Sequence, residues 1–115
     1  MYDSTFFKEL HEATFAKTIA QGITIVFFWS TTCTICQRLE PIAHSLARSY
    51  SPQITFAKVN IDDYPTLARE QNVQFLPTIK IFRRGLQLAR IVGLKSEDLL
   101  RDAIKEAVGP ALSSQ

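Results

Sequence analysis

The strongest hydrophobic pattern in the chain is the nearly continuous apolar run over residues 23–29, which is rich in β-branched and aromatic side chains. A run of this length without polar alternation predicts a strand buried on both faces, as in the centre of a parallel sheet. Residues 53–61 predict a second strand. Residues 78–83 and 86–92 predict two more, and because Gly85 lies between them, we expect an antiparallel hairpin there.

Apolar side chains recur at helical spacing over residues 33–50, and Pro41 inside this stretch predicts a kink rather than an end. A short helix is predicted over residues 64–71, and a last helix from Ser96 to near Gly109-Pro110. The first 20 residues are ambiguous, since their apolar positions fit either one long helix or a short strand followed by a helix. These positions are Phe6, Phe7, Leu10, Phe15 and Ile19.

The element order (β)α–β–α–β–α–β–β–α predicts an α/β fold. Strands joined by helical crossovers must be parallel, whereas the two strands of the closing hairpin must be antiparallel. We therefore expect a mixed central sheet, with a parallel core and an antiparallel C-terminal hairpin, sandwiched by helices. Residues 1–108 are expected to form one such domain, and residues 109–115 a C-terminal tail.

The composition excludes several classes of protein. The chain has 115 residues, of which 46% are apolar and 21% charged, as expected for an ordinary globular domain. Its net charge of +2 comes from scattered basic residues and does not indicate nucleic-acid binding. No segment approaches the roughly 18 apolar residues of a membrane span. Because the N-terminus lacks the pattern of a secretory signal, we expect a cytoplasmic protein or a trimmed chain.

The chemistry of the chain centres on its two cysteines, Cys33 and Cys36, which form a Cys-Thr-Ile-Cys motif after the first predicted strand. The motif opens a predicted helix, where backbone N–H groups and the helix dipole favour a thiolate on the first sulfur. That thiolate can attack a disulfide, and the second sulfur can then resolve the mixed disulfide. The pattern therefore predicts a redox-active dithiol, which fits a reducing compartment.

A Cys-x-x-Cys motif is also half of a zinc site, but structural zinc requires four ligands. The two histidines are badly placed, since His44 lies eight residues beyond Cys36 and His11 is in the ambiguous N-terminal region. We therefore expect no metal within the chain; a metal or iron–sulfur site shared between two chains stays as an alternative. Asp62-Asp63 is interpreted as a solvated helix start rather than a carboxylate pair for acid–base chemistry.

An ordered set of motifs over about residues 12–108 resembles the thioredoxin family. The motifs are Phe28-Trp29, Cys33-x-x-Cys36, Pro41, the stretch Ala-Lys-Val-Asn-Ile-Asp at 57–62, Leu76-Pro77-Thr78 and Val92-Gly93. The resemblance implies a thioredoxin fold and a thiol–disulfide oxidoreductase that acts on protein disulfides. It implies no tightly bound cofactor, so that electrons are exchanged with a partner such as a reductase.

The resemblance also implies roles for individual residues. Cys33 would be the exposed nucleophile and Cys36 the shielded resolving thiol. Pro77 would be cis and face the disulfide, and the backbone of Leu76 would pair with an extended substrate segment. The expected substrate-binding site comprises Trp29, Leu76, Pro77 and Gly93 from the family pattern and, at positions that depart from it, Thr32, Thr34, Ile35 and Phe75.

The dipeptide between the cysteines departs from the family pattern, because Thr34-Ile35 stands where Gly-Pro is usual. A hydroxyl hydrogen bond from Thr34 to the Cys33 thiolate would stabilise the reduced form and make the disulfide more oxidising. We therefore hypothesise a less reducing couple than that of a typical thioredoxin, whose potential is about −270 mV.

A second departure is Phe27, which stands where the family has a buried aspartate that accepts the proton of the resolving cysteine. Phenylalanine cannot accept a proton. Lys58, which neighbours that acid in the family, is kept, and we hypothesise that its neutral form takes over part of the base role. The alternative is that the Lys58 amine simply reaches solvent.

The third set of departures surrounds the groove. Thr32 replaces a second tryptophan, and Phe75 stands where a glycine is common. Four side chains are expected to form an apolar rim suited to an extended apolar segment or a specific protein partner. The members of this apolar rim are Ile35, Phe75, Leu76 and Leu94. For Phe75, partial burial in the core is the alternative.

These departures support a hypothesis of another class, a thioredoxin-fold binding or chaperone-like module whose apolar groove matters more than its redox chemistry. The altered dipeptide and the missing aspartate favour it. The retention of both Cys33 and Cys36 argues against it.

Overall fold

Strands and helices alternate up to a closing pair of strands in the computed structural model, which describes residues 7–113. The elements within that range are β1 (Phe7–Glu9), α1 (Glu12–Ile19), β2 (Ile23–Trp29), α2 (Thr34–Tyr50), β3 (Ile54–Asn60), α3 (Pro65–Glu70), β4 (Thr78–Arg83), β5 (Leu86–Val92) and α4 (Glu97–Ser113). Their order is the predicted one. The predicted core position Phe6 lies outside the described residues.

The five described strands form one sheet in the order β1-β3-β2-β4-β5. β3 pairs in parallel with both β1 and β2, whereas β4 is antiparallel to β2 and to β5. The predicted mixed sheet and the closing hairpin are therefore confirmed. β2 is the central strand, which explains why its sequence is apolar on both faces.

The ambiguous N-terminal region contains a strand followed by a helix rather than one long helix. Phe7 pairs with Phe56 of β3, and the Leu10 N–H donates to the Lys58 carbonyl at 2.9 Å. α1 then buries Phe15 and Ile19 against the sheet. Pairing with β3 determines that this segment is a strand, because three residues show too little periodicity to identify a strand from the sequence.

The sheet separates two hydrophobic layers. Successive side chains of a strand point to opposite faces, so Ile25, Phe27 and Trp29 pack with α2 and α4 on one face. Val26 and Phe28 pack with α1 and α3 on the other face. Both cysteines belong to the layer of α2 and α4.

The end of α4 differs from the prediction. The sequence predicts a stop near Gly109-Pro110, but the helix continues to Ser113. A glycine that ends a helix commonly adopts the left-handed conformation, and the φ of Gly109 is not in that region. Part of the predicted tail over residues 109–115 is therefore helical. None of the described helices is long and apolar enough to cross a membrane.

β4 carries a buried lysine that sequence analysis did not single out. Lys80 is 4% exposed and lies on the same face of the sheet as Phe82, which belongs to the layer of α1 and α3. Burial lowers the pKa of Lys80, and the positive charge of Arg90 on β5, its register partner, lowers that pKa further. The charged form of Lys80 is thus less favourable in the folded protein than in the unfolded chain.

This burial predicts a pH-dependent stability. The pKa of Lys80 is lower in the folded than in the unfolded chain, so the unfolded chain binds more protons between the two values, and stability rises with pH there. Lys80→Met removes this dependence. We expect Lys80→Met to be the more stable protein near neutral pH, and its advantage over the parent to shrink as the pH approaches about 10. Urea unfolding of both proteins across this range measures the difference, and a difference independent of pH would contradict the expectation.

Candidate active site

The candidate site lies where four chain segments meet at one edge of the sheet. In the pairing register, Trp29 at the end of β2 lies beside Asn60 at the end of β3. Thr78 at the start of β4 lies between Phe28 of β2 and Val92 at the end of β5. The loops after β2, β3 and β5 and the loop before β4 therefore share this edge, as expected for sites of α/β sheets.

The two cysteines lie at the N-terminus of α2, joined by a disulfide with their Cα atoms 5.3 Å apart. Cys33 is the N-cap residue, and its Sγ accepts a hydrogen bond from the Cys36 N–H at 3.1 Å. The first sulfur therefore occupies the end of the helix where the dipole favours negative charge. Cys36 is completely buried whereas Cys33 is partly exposed, so solvent reaches the two residues unequally.

The Leu76–Pro77 peptide bond, which precedes β4, is cis. The Pro77 carbonyl accepts a hydrogen bond from the Gly93 N–H at 2.8 Å, which joins the loop before β4 to the loop after β5. Gly93 has a φ of +93°, a conformation that favours glycine because it has no Cβ. Leu76 packs against both hydrophobic layers. These contacts hold Leu76, Pro77 and Gly93 at the edge of the sheet that carries the disulfide.

Three members of the apolar rim are well exposed: Phe75 at 64%, Ile35 at 46% and Leu94 at 36%. Phe75 is therefore not a core residue, and the alternative of partial burial is wrong. Leu76, the fourth member, is half-buried. Thr32 and Thr34 are also exposed, whereas Trp29 is buried beneath this edge.

Phe27, which stands where the family has a buried aspartate, belongs to a cluster of aromatic side chains. It is 1% exposed, and its ring centroid lies 5.7 Å from that of Phe7 and 6.4 Å from that of Phe56. Cys36 belongs to the same hydrophobic layer. A thiolate at Cys36 would therefore be formed against hydrocarbon, which disfavours the charged form.

Lys58 is the register partner of Phe27 on β3 and is half-buried. Its Nζ lies 5.9 Å from the centroid of the Trp29 ring, within the range of a cation–π interaction. A positive charge thus sits on the same face of the sheet as Phe27 and the cysteines. The role of Lys58 as a base stays a prediction.

The structure adds a polar network that sequence analysis missed. Ser30 donates to Asp62 Oδ2 at 2.7 Å, and the Thr31 hydroxyl donates to the same oxygen at 3.3 Å. The Thr32 N–H donates to Ser30 Oγ at 3.2 Å. Because the Ser30 hydrogen points to Asp62, the Thr32 hydroxyl must be the donor in its 3.0 Å contact with Ser30 Oγ. The carboxylate of Asp62 therefore organises the loop that leads to Cys33.

One signal in the sequence could have revealed this network. Ser30 follows β2 and Asp62 follows β3 closely, and the carboxyl ends of neighbouring parallel strands meet at one edge. Asp62 is thus more than a solvated charge at a helix start. Among the described residues, no group of three or more His, Cys, Asp or Glu side chains is arranged to hold a metal ion.

The sequence model of the thioredoxin family matches residues 6–106. A thioredoxin of Chlamydia pneumoniae is 34% identical over 99 residues, which cover 86% of this chain and 96% of the relative. A thioredoxin of Chlamydia trachomatis serovar D is 37% identical over 86 residues, covering 75% of this chain and 83% of the relative.

The fold is also similar to a chain in a solved structure, from work on the thiol-resolving mechanism of a yeast mitochondrial 1-Cys peroxiredoxin via the glutathione and thioredoxin systems. The TM-score is 0.80 at 25% sequence identity, and the match covers 89% of this chain and 96% of the solved one.

Removal of the Asp62 carboxylate is expected to loosen the loop before Cys33. Asp62→Ala deletes the acceptor of two hydroxyl groups, so we expect a loss of about 1 kcal/mol in the free energy of unfolding of the oxidised protein. Asp62→Asn keeps an acceptor oxygen and should lose less. The exposed neighbour Asp63 provides the matched control, Asp63→Ala, in urea unfolding. Equal losses for Asp62→Ala and Asp63→Ala would rule out the network as a source of stability.

Proposed function

This chain belongs to the thioredoxin family and is a thiol–disulfide oxidoreductase, and from that premise we propose that it acts on protein disulfides as a less reducing couple than a typical member. Cys33 attacks a substrate disulfide as the thiolate and forms a mixed disulfide while one substrate thiolate leaves. Cys36 then attacks the Cys33 sulfur and releases the second substrate thiol. Two electrons pass to the substrate, and the Cys33–Cys36 disulfide that remains is reduced by a partner such as a thioredoxin reductase.

The observation that carries this order of steps is the unequal burial of the two cysteines. Cys33 is partly exposed at the N-terminus of α2, where its thiolate is favoured, and a substrate disulfide can approach it. Cys36 is completely buried, so it can react only with a sulfur already bound to Cys33. This asymmetry supports Cys33 as nucleophile and Cys36 as resolving thiol.

The charges around the pair support a more oxidising couple. Phe27 replaces a carboxylate whose negative charge would oppose a nearby thiolate. The helix N-terminus and the ammonium of Lys58 both favour negative charge on the same side of the sheet. A stabilised thiolate at Cys33 stabilises the reduced protein, which raises the reduction potential of the couple.

The substrate surface is proposed to be the edge formed by Leu76-Pro77, Gly93 and the apolar rim. The exposure of Phe75, Ile35 and Leu94 supports contact with apolar side chains of an extended substrate segment, whose backbone would pair with Leu76. We propose the cytoplasm as the compartment, because both cysteines of the chain form one redox motif and none remains for a structural disulfide.

We expect the potential of the Cys33–Cys36 couple to lie about 30 mV or more above −270 mV, which corresponds to at least a tenfold change in the equilibrium constant. Equilibration with dithiothreitol or glutathione buffers, followed by Trp29 fluorescence, measures it. The double variant Thr34→Gly, Ile35→Pro restores the usual dipeptide and should move the potential toward −270 mV. A parent value at or below about −270 mV contradicts the proposal. Failure to form a reversible disulfide would favour the binding-module hypothesis.

The roles of the two cysteines are tested by substitution. Cys36→Ser should still attack a protein disulfide and should then remain covalently bound to it, because no thiol is left to resolve the bond. Cys33→Ser should neither reduce the substrate nor form a mixed disulfide. Non-reducing electrophoresis and mass spectrometry detect the adduct. An adduct at Cys36 in the Cys33→Ser protein, formed as fast as with Cys33, would reverse the assignment.

A further inference from the structure

The loop between α3 and β4, residues 71–77, carries Phe75, Leu76 and Pro77, and we refer to it as the substrate loop. Two buried polar side chains of β4 hold this loop. Thr78 is 0% exposed and Lys80 is 4% exposed. Because they lie two residues apart on one strand, both side chains point to the same face of the sheet.

Each of these side chains donates to a backbone carbonyl of the substrate loop. The Thr78 hydroxyl donates to the Phe75 carbonyl near the end of the loop. The Lys80 ammonium donates to the Gln71 carbonyl at the start of the loop, and it lies 3.3 Å from Gln71 Oε1. The loop is thereby fastened at both ends to the strand that follows it.

Gln71 is the C-cap residue of α3, and the last carbonyls of a helix have no partner within the helix. A cation at this end completes their hydrogen bonding and interacts favourably with the helix dipole. The Lys80 ammonium therefore fixes the point at which the chain leaves α3 and enters the substrate loop.

Burial of the Lys80 ammonium group costs desolvation free energy. The neighbours of Lys80 along β4, Ile79 and Ile81, are apolar and buried, and Val26 beside it on β2 is also completely buried. An apolar side chain at position 80 would avoid the desolvation of a charge. What lysine adds at this position is a charged donor for Gln71.

We propose that Lys80 is a positioning residue for exchange with protein disulfides, holding the substrate loop so that Phe75 and the Leu76 backbone meet an extended substrate. This inference rests on the proposed function, since it assumes that the loop binds the substrate chain. Lys80 acts through the loop and not on the sulfurs. Its removal should therefore weaken the recognition of a protein substrate and leave the reactivity of Cys33 unchanged.

The test compares a protein disulfide with a small one. For Lys80→Met we expect the KM for insulin reduction to rise about tenfold, which corresponds to a loss of about 1.4 kcal/mol in binding free energy. The rate with a small aromatic disulfide, 5,5′-dithiobis(2-nitrobenzoate), should stay within about twofold, since it needs no strand pairing. The Cys33–Cys36 potential should not change. Lys105→Met, at an exposed position of α4, is the matched control, and Lys80→Leu replaces Lys80→Met if the latter does not fold.

The outcomes distinguish a failure of the proposed groove, a positioning role of Lys80 and a role of Lys80 in stability alone. A parent protein that has no lower KM for insulin than for the small disulfide contradicts the proposed use of the groove, independently of Lys80. If the parent does prefer insulin, an unchanged KM in Lys80→Met overturns the inference. An equal loss with both disulfides, or a loss that follows reduced thermal stability, shows that Lys80 only supports the fold. A selective loss for insulin in a protein of equal or greater stability supports the inference.

Discussion

The site depends on the burial of β2 between two layers of helices. This strand pairs with β3 in parallel and with β4 antiparallel, and its side chains alternate between the two hydrophobic layers. Its carboxyl end is therefore fixed in space, and the chain turns there into α2. The same pairing brings the start of β4 to that end, so that Cys33 and Pro77 reach one edge of the sheet from distant parts of the chain.

Around the disulfide, apolar and polar groups lie on different sides. On the side of the protein interior, Phe27 and its aromatic neighbours form a layer in which a charge is poorly solvated. In the loop that leads to Cys33, one carboxylate, that of Asp62, organises the hydroxyl groups of residues 30–32. The chemistry of the pair follows from this division. One sulfur can carry negative charge at the helix end, and the other is shielded until a mixed disulfide forms beside it.

Lys80 illustrates how stability and function can oppose each other in one side chain. Its desolvation disfavours the folded state, as the lowered pKa indicates, yet its hydrogen bond to Gln71 orders the loop that carries Leu76. A buried charge among mostly apolar side chains is therefore best explained by the hydrogen bond that it makes. Thr78, on the same face of β4, fastens the other end of the same loop.

Local patterning determined most of the fold: the apolar run of β2, the hairpin around Gly85 and the helix after Cys33 were all predictable, because each produces a periodicity or a turn signal of its own. The cysteine spacing likewise indicated the redox chemistry. Tertiary structure alone decided that residues 7–9 form a strand, since they require β3 as a partner. It also decided the contacts of Asp62 and Lys80, because each joins residues that only the pairing and packing of separate elements bring together. Sequence periodicity reports which face of an element is buried, but not which polar groups of another element will meet it there.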